Sequence, residues 1–138
     1  MFDLGFEFDS SPTFLPYKID KIGMVELFKD IPEDIKVHAR KLRDEKGIQF
    51  YAVDQDAGFC SMKRKIITIP SWVIFKKPLD YRIWYISHEI SHGIDNCKHG
   101  HGLEFMEILK RICPKESIHY ELTYKPRNAA KAGIQFQP

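Results

Sequence analysis

Apolar positions along the chain change period several times, and each change marks an expected element. Phe2, Leu4, Phe6 and Phe8 alternate with small or polar residues, the period of a strand, and Pro12 and Pro16 bias the residues before them toward an extended conformation. Residues 1–18 are therefore expected as an extended N-terminal arm, carrying an edge strand first and a docking segment as the alternative. In "DIPEDIKVHARKLRDEKG" the repeat lengthens, and Ile31, Ile35, Ala39 and Leu42 fall on one face of a helix. Asp30 can cap that helix, Pro32, Glu33 and Asp34 suit its first turn, and Gly47 can end it. His38 lies on it with no ligand partner at a recognisable spacing, so it reads as surface or packing.

"IQFYAV" and "KRKIITIP" are β-branched and aromatic runs separated by "DQDAGFCSM", whose Gly58 and acids read as turn residues. A small antiparallel sheet of two or three strands is expected, with Pro70 closing the second run. "SWVIFKKP" fits either a strand or a helix start, and Pro78 breaks it. Asp80 can then cap "YRIWYISHEISHGIDN", where Ile83, Ile86, Ile90 and Ile94 form an apolar stripe. Tyr81, Trp84, Tyr85, His88, His92 and Asp95 lie toward the other side. "CKHG" turns the chain, and Phe105, Met106, Leu109 and Ile112 give a further helix stopped before Pro114.

A length of 138 residues fits one domain with a core of its own. Hydrophobic residues at 43% indicate a globular chain, and no apolar run is long enough for a membrane span. The acidic start "MFDLGFEFDS" is unlike an export signal, and three cysteines, Cys60, Cys97 and Cys113, form no C-x-x-C pair. A cytoplasmic protein is expected. A net charge of +2 does not indicate nucleic acid as a partner, although Lys63 to Lys65, Lys76, Lys77, Lys125, Arg127 and Lys131 gather locally.

Candidate chemistry concentrates in "HEISHGIDNCKHGHGLEF", which holds four of the six histidines. "HEISH" is an H-E-x-x-H sequence on an expected helix, so His88 and His92 project from one face and can converge on one zinc ion. Glu89 cannot point at the same ion but can reach a water that it carries, and can take that water's proton as it attacks a peptide carbonyl. A catalytic zinc needs a third protein ligand. His101, bracketed by Gly100 and Gly102, is placed first; His99, Asp95, Glu104 and Glu107 compete for the place. Asp95 better suits orienting an imidazole, and the longer pattern H-E-x-x-H-x-x-G-x-x-H is excluded by Asp95 and Lys98.

At "HEISH…HGLEF…P" the chain resembles the SprT-like metalloprotease domain, in which an H-E-x-x-H helix is followed by a short loop and an H-G-x-x-F element. "GFCSMKRKIITIPSW" resembles the hairpin and proline-bounded strand ahead of that helix, so the likeness covers roughly residues 20–115. It implies zinc on His88, His92 and His101, Glu89 as general base, and a compact single-domain zincin-like α+β fold. The strand near Ile66 to Ile69 would border the cleft and pair with an extended substrate. The expected division is an arm at 1–18, the metalloprotease domain at 19–115 and a C-terminal tail at 116–138. No paired cysteines follow for a zinc ribbon, so DNA-dependent proteolysis is not carried over. His119, Tyr120 and Tyr124 of the tail are candidates to reach the cleft, a tyrosine hydroxyl there serving a tetrahedral oxyanion. The function expected is a zinc metallopeptidase acting on a protein or peptide. Its rival is a non-catalytic, zinc-stabilised module binding a protein or nucleic acid; hydrolysis of a non-peptide amide would share the site.

Overall fold

The computed structural model describes residues 18–124. The strand expected at Phe2 to Phe8 and the basic residues from Lys125 onward lie outside them. Within them the elements run α1 (Lys21–Glu26), α2 (Glu33–Lys46), β1 (Gln49–Val53), β2 (Phe59–Ser61), β3 (Ile66–Pro70), α3 (Ser71–Lys76), α4 (Leu79–Ile94), α5 (Leu103–Ile112) and α6 (Lys115–Tyr124). This is a mixed α+β arrangement, as expected. No helix of the described residues is long and apolar enough to cross a membrane.

The sheet departs from expectation. Its order is β1-β3-β2, with β1 parallel to β3 from Gln49↔Ile66 to Val53↔Pro70, and β2 antiparallel to β3. A parallel pair needs a crossover of about a dozen residues; here residues 54–65 supply it. "FCS", expected inside a turn, pairs as an edge strand on the far side of β3. The unbroken run Ile66, Ile67, Thr68, Ile69 and Pro70 is buried at every position, which suits a central strand covered on both faces.

Helix boundaries also shift. Gly47 ends α2 as expected, left-handed at φ 71°, its N–H bonded to Leu42 and Arg43 carbonyls. Its start is at Pro32, while Asp30 takes a left-handed φ of 64° in the preceding turn instead of capping. "SWVIFK" resolves as helix α3. Pro78, not Asp80, holds the cap position of α4. Asp80 instead accepts the Tyr120 hydroxyl, at 3.1 and 3.2 Å to its two oxygens.

α4 is the helix on which the rest is packed: it touches α2, α3, α5, α6, β2 and β3. One apolar stripe was expected on it, but all of residues 82–91 are buried, because α5 and α6 cover the face the isoleucines do not. Its two buried serines are satisfied within the helix. Ser87 and Ser91 hydroxyls donate to the carbonyls of Ile83 and Ser87 at 2.7 and 2.8 Å. Arg82 donates to the Glu26 and Lys29 carbonyls, closing the turn after α1. Lys46, in the last turn of α2, donates to the carbonyls of Gly93 and Ile94 at 2.8 and 3.2 Å and so completes the C-terminus of α4. A Cβ on Gly93 would meet the Cδ1 of Leu42 at 2.9 Å, so at this position the Leu42 side chain of α2 packs directly on the backbone of α4.

Candidate metal centre

His88 and His92, one helical turn apart on α4, turn their rings toward the same point, with Nε2 atoms 3.2 Å apart. The third ring arrives from the turn beyond. α4 ends at Asp95, Asn96 and Cys97 adopt left-handed φ values of 55°, and Gly100 does the same. This reversal brings His101 back over the helix. Its Nε2 lies 3.1 Å from Nε2 of both His88 and His92. The Asp95 carboxylate holds the turn in place, accepting the His99 N–H at 2.9 Å and its Nδ1 at 2.6 Å. Asp95 therefore orients an imidazole, but that of His99 and not of a histidine in the triad.

Phe105, buried in the first turns of α5, lies against all three rings. Its centroid is 5.0, 4.3 and 5.1 Å from those of His88, His92 and His101, and it stacks on His92. The apolar ring restricts each imidazole to a narrow range of orientations. A further contact comes from α6. Glu121, fully buried, places Oε1 2.6 Å from Nδ1 of His88 and 2.9 Å from Nε1 of Trp84. Burial alone would raise the pKa of its carboxyl. The hydrogen bond and charge of His88, the Trp84 N–H and the charge of His101 outweigh that and bring it below the usual carboxylate value. A Glu121 carboxylate can only accept, so it favours the proton on Nδ1 of His88, the tautomer of the neutral ring that leaves Nε2 available to a metal.

The fit to a metal ion can be judged from these distances. Two nitrogens bound tetrahedrally to zinc at about 2.0–2.1 Å stand about 3.3 Å apart, against the 3.1–3.2 Å found here. Three ring nitrogens meeting at one point cannot satisfy one another by hydrogen bonds alone. His88, His92 and His101 together form a group that could hold a metal ion. The set is all-nitrogen, which suits zinc and other borderline first-row ions. Glu89, 5% exposed, lines the same cleft of about 290 Å³, bounded by Gly58, by Phe59 and Cys60 of β2, and by Trp84, Tyr85 and Cys97.

The other candidates fall elsewhere. Glu104 and Glu107 are exposed on α5, and His38 lines a separate groove with Lys41 and Arg111, its pKa lowered by burial and by the Lys41 charge. His119 is exposed and packs on Tyr120, while the Tyr120 hydroxyl is held by Asp80 and does not line the cleft, so Tyr120 packs and is not the candidate for an oxyanion. The side chain of Tyr124 lies outside the described residues. β3 does not border the cleft as expected, since β1 and β2 pair with both its edges; β2 is the bordering strand. Glu121 was missed by sequence reasoning. Its one signal was the helical spacing of Ile118, Glu121 and Leu122 after Pro114 in a segment read as tail.

Compared with known protein families, with curated proteins and with solved structures, the chain finds no match.

Proposed function

We propose that the chain is a zinc metallopeptidase with a zincin-like fold of the SprT-like kind, acting on an extended segment of a protein substrate. The observation that carries this reading is the convergence of three Nε2 atoms 3.1–3.2 Å apart beside Glu89 in one open cleft. A merely structural zinc would be enclosed by four protein ligands, whereas catalytic sites use three and leave a position open. Only three candidate ligands meet here among the described residues.

His88, His92 and His101 would hold the ion, and Glu121 and Phe105 would keep their rings in place. When bound, zinc supplies Lewis acidity, acidifying water and polarising a carbonyl. Glu89 takes the proton from the attacking water and returns it to the leaving amide nitrogen; its burial beside the triad keeps it within the cleft for both transfers. β2 pairs with β3 along one edge and faces the cleft with Phe59 and Cys60, so an extended peptide would add to its other edge. Hydrolysis needs a segment that can be drawn out as a strand, which favours unfolded or flexible protein regions, in a reducing compartment such as the cytoplasm.

The test is hydrolysis of a denatured protein such as casein by the zinc-loaded chain, with and without chelator. Cleavage that disappears on chelation and returns with zinc is expected. Stoichiometric zinc with no cleavage of any extended peptide in a diverse library would favour the non-catalytic binding module instead.

A further inference from the structure

Two cysteines from distant parts of the chain meet at the wall of this cleft. Cys60 lies on β2 and Cys97 in the turn after α4, and both line the cleft with His88, Glu89, His92 and His101. Cys97 Sγ sits 3.6 Å from the Cys60 carbonyl oxygen, a weak S–H···O contact that brings the two side chains together at the cleft wall. The backbone is bent to allow it. The Cys97 N–H bonds to the His92 carbonyl at 2.9 Å, closing the end of α4 over Asn96, whose left-handed conformation is usual there. Cys97 is left-handed as well, at φ 55°, in a region that disfavours a side chain by about 1–2 kcal/mol. The turn tolerates that cost, and its exposed cysteine lies against a half-buried one.

We propose that Cys60 and Cys97 are a peroxide-sensitive dithiol that closes into a disulfide across the edge of the cleft. The regulatory consequence, though not the chemistry, rests on the peptidase reading above. Cys97 is the exposed partner and meets the oxidant first. Its sulfur attacks one peroxide oxygen, the O–O bond breaks, and Cys97 becomes a sulfenic acid while the other oxygen leaves as water. The Cys60 sulfur then attacks the Cys97 sulfur, the S–O bond breaks, and a second water leaves with the Cys60 proton. Two thiols lose two electrons, and one hydrogen peroxide is reduced to two waters. Burial and the neighbouring Cys97 push the Cys60 thiol up, so Cys60 is not the first to be oxidised, and its proton leaves only as its sulfur attacks Cys97.

Closure converts a weak contact into a covalent one. In the reduced chain a peptide can displace a thiol from the β2 edge. In the oxidised chain that edge is tied to the turn leading to His101, and a substrate strand cannot add.

The experiment treats the zinc-loaded full chain with stoichiometric hydrogen peroxide, blocks remaining thiols, and maps the peptides by mass. The expected result is one intramolecular Cys60–Cys97 link, two hydrogens lighter, with Cys113 still blocked as a thiol; Cys60→Ser and Cys97→Ser each abolish the link. Cys97 carried to sulfinic acid beside an unreacted Cys60 in the parent, or a link between chains, overturns the proposal. Mapping needs no turnover, so its outcome stands whether or not the peptidase reading does. Where the parent hydrolyses casein, oxidation is expected to lower the rate at least tenfold, with recovery on reduction and no peroxide response in Cys97→Ser. A cross-linked chain with full turnover overturns the regulatory part.

Discussion

Removing Glu121 tests how the triad is held. Its carboxylate is fully buried and accepts from two buried donors, Nδ1 of His88 and Nε1 of Trp84, at 2.6 and 2.9 Å. In Glu121→Ala both donors lose their acceptor, at about 1–3 kcal/mol each. The loss on the metal differs, because His88 is then free to place its proton on either nitrogen and to rotate. Loss of such an orienting partner typically weakens metal binding about 10–100-fold, which is about 1.4–2.7 kcal/mol. Glu121→Gln keeps the size and one acceptor oxygen but not the charge, so its effect should fall between parent and Glu121→Ala. Competition with a chromogenic zinc chelator gives the affinities, and thermal melting of the metal-free chains separates stability from binding. If metal-free Glu121→Ala melts lower but its zinc affinity equals the parent's, then Glu121 supports the fold only, and the argument that it fixes the His88 tautomer is refuted.

Three further outcomes follow from individual contacts. Phe105→Ala should destabilise the metal-free chain by about 3–5 kcal/mol, the range for large-to-small changes in a core, and should also weaken zinc, since Phe105 touches all three imidazoles; urea denaturation with and without zinc measures both. Asp20 caps α1, accepting Gly23 N–H at 2.8 Å, and the Ser71 hydroxyl followed by the Gly23 N–H holds its carboxyl below the usual value. Asp20→Ala should cost about 0.5–2 kcal/mol at neutral pH. A depressed carboxyl contributes stability above its unfolded pKa of about 3.9 and loses it as pH falls through the folded value, so parent and variant should converge in acid; equal gaps at neutral and strongly acidic pH would contradict this. The hydrogen bond that His99 Nδ1 donates to Asp95 raises the His99 pKa above that of an ordinary histidine, and Asp95→Asn should lower it, as read by NMR titration of the ring; the pair's contribution is present below the unfolded histidine value and is lost as pH rises through the folded one.

Much of this architecture could be read from residue spacing. The periodicity of Ile35, Ala39 and Leu42, and of Phe105, Met106, Leu109 and Ile112, located two helices, and those residues are the ones they bury. His88 and His92 share a face because four residues make about one turn, and the glycines around His101 mark where the chain can reverse. What escaped depends on contacts distant in sequence. The parallel pairing of β1 and β3 follows from where the short "FCS" strand docks, which alternation within either strand cannot specify. Asp80 and Asp30 have the chemistry of caps, but Asp80 is engaged by Tyr120 from α6 and Asp30 sits in a left-handed turn. Glu121 lies 33 residues from His88, and Cys60 lies 37 from Cys97. No motif spacing links either pair; the packing of α6 on α4 and of β2 beside the turn does.

On the proposed reading, Glu89 performs proton transfer for hydrolysis at a metal held by His88, His92 and His101. Glu89→Gln tests it most directly, since it keeps the side chain's shape and removes its basicity. Metal content and casein hydrolysis should be measured on the same zinc-loaded preparations. One zinc per chain in parent and variant, with hydrolysis lower in the variant by about 10²–10⁴-fold, the usual contribution of a general base, is the predicted result. A Glu89→Gln chain that binds zinc and cleaves as fast as the parent would contradict the account.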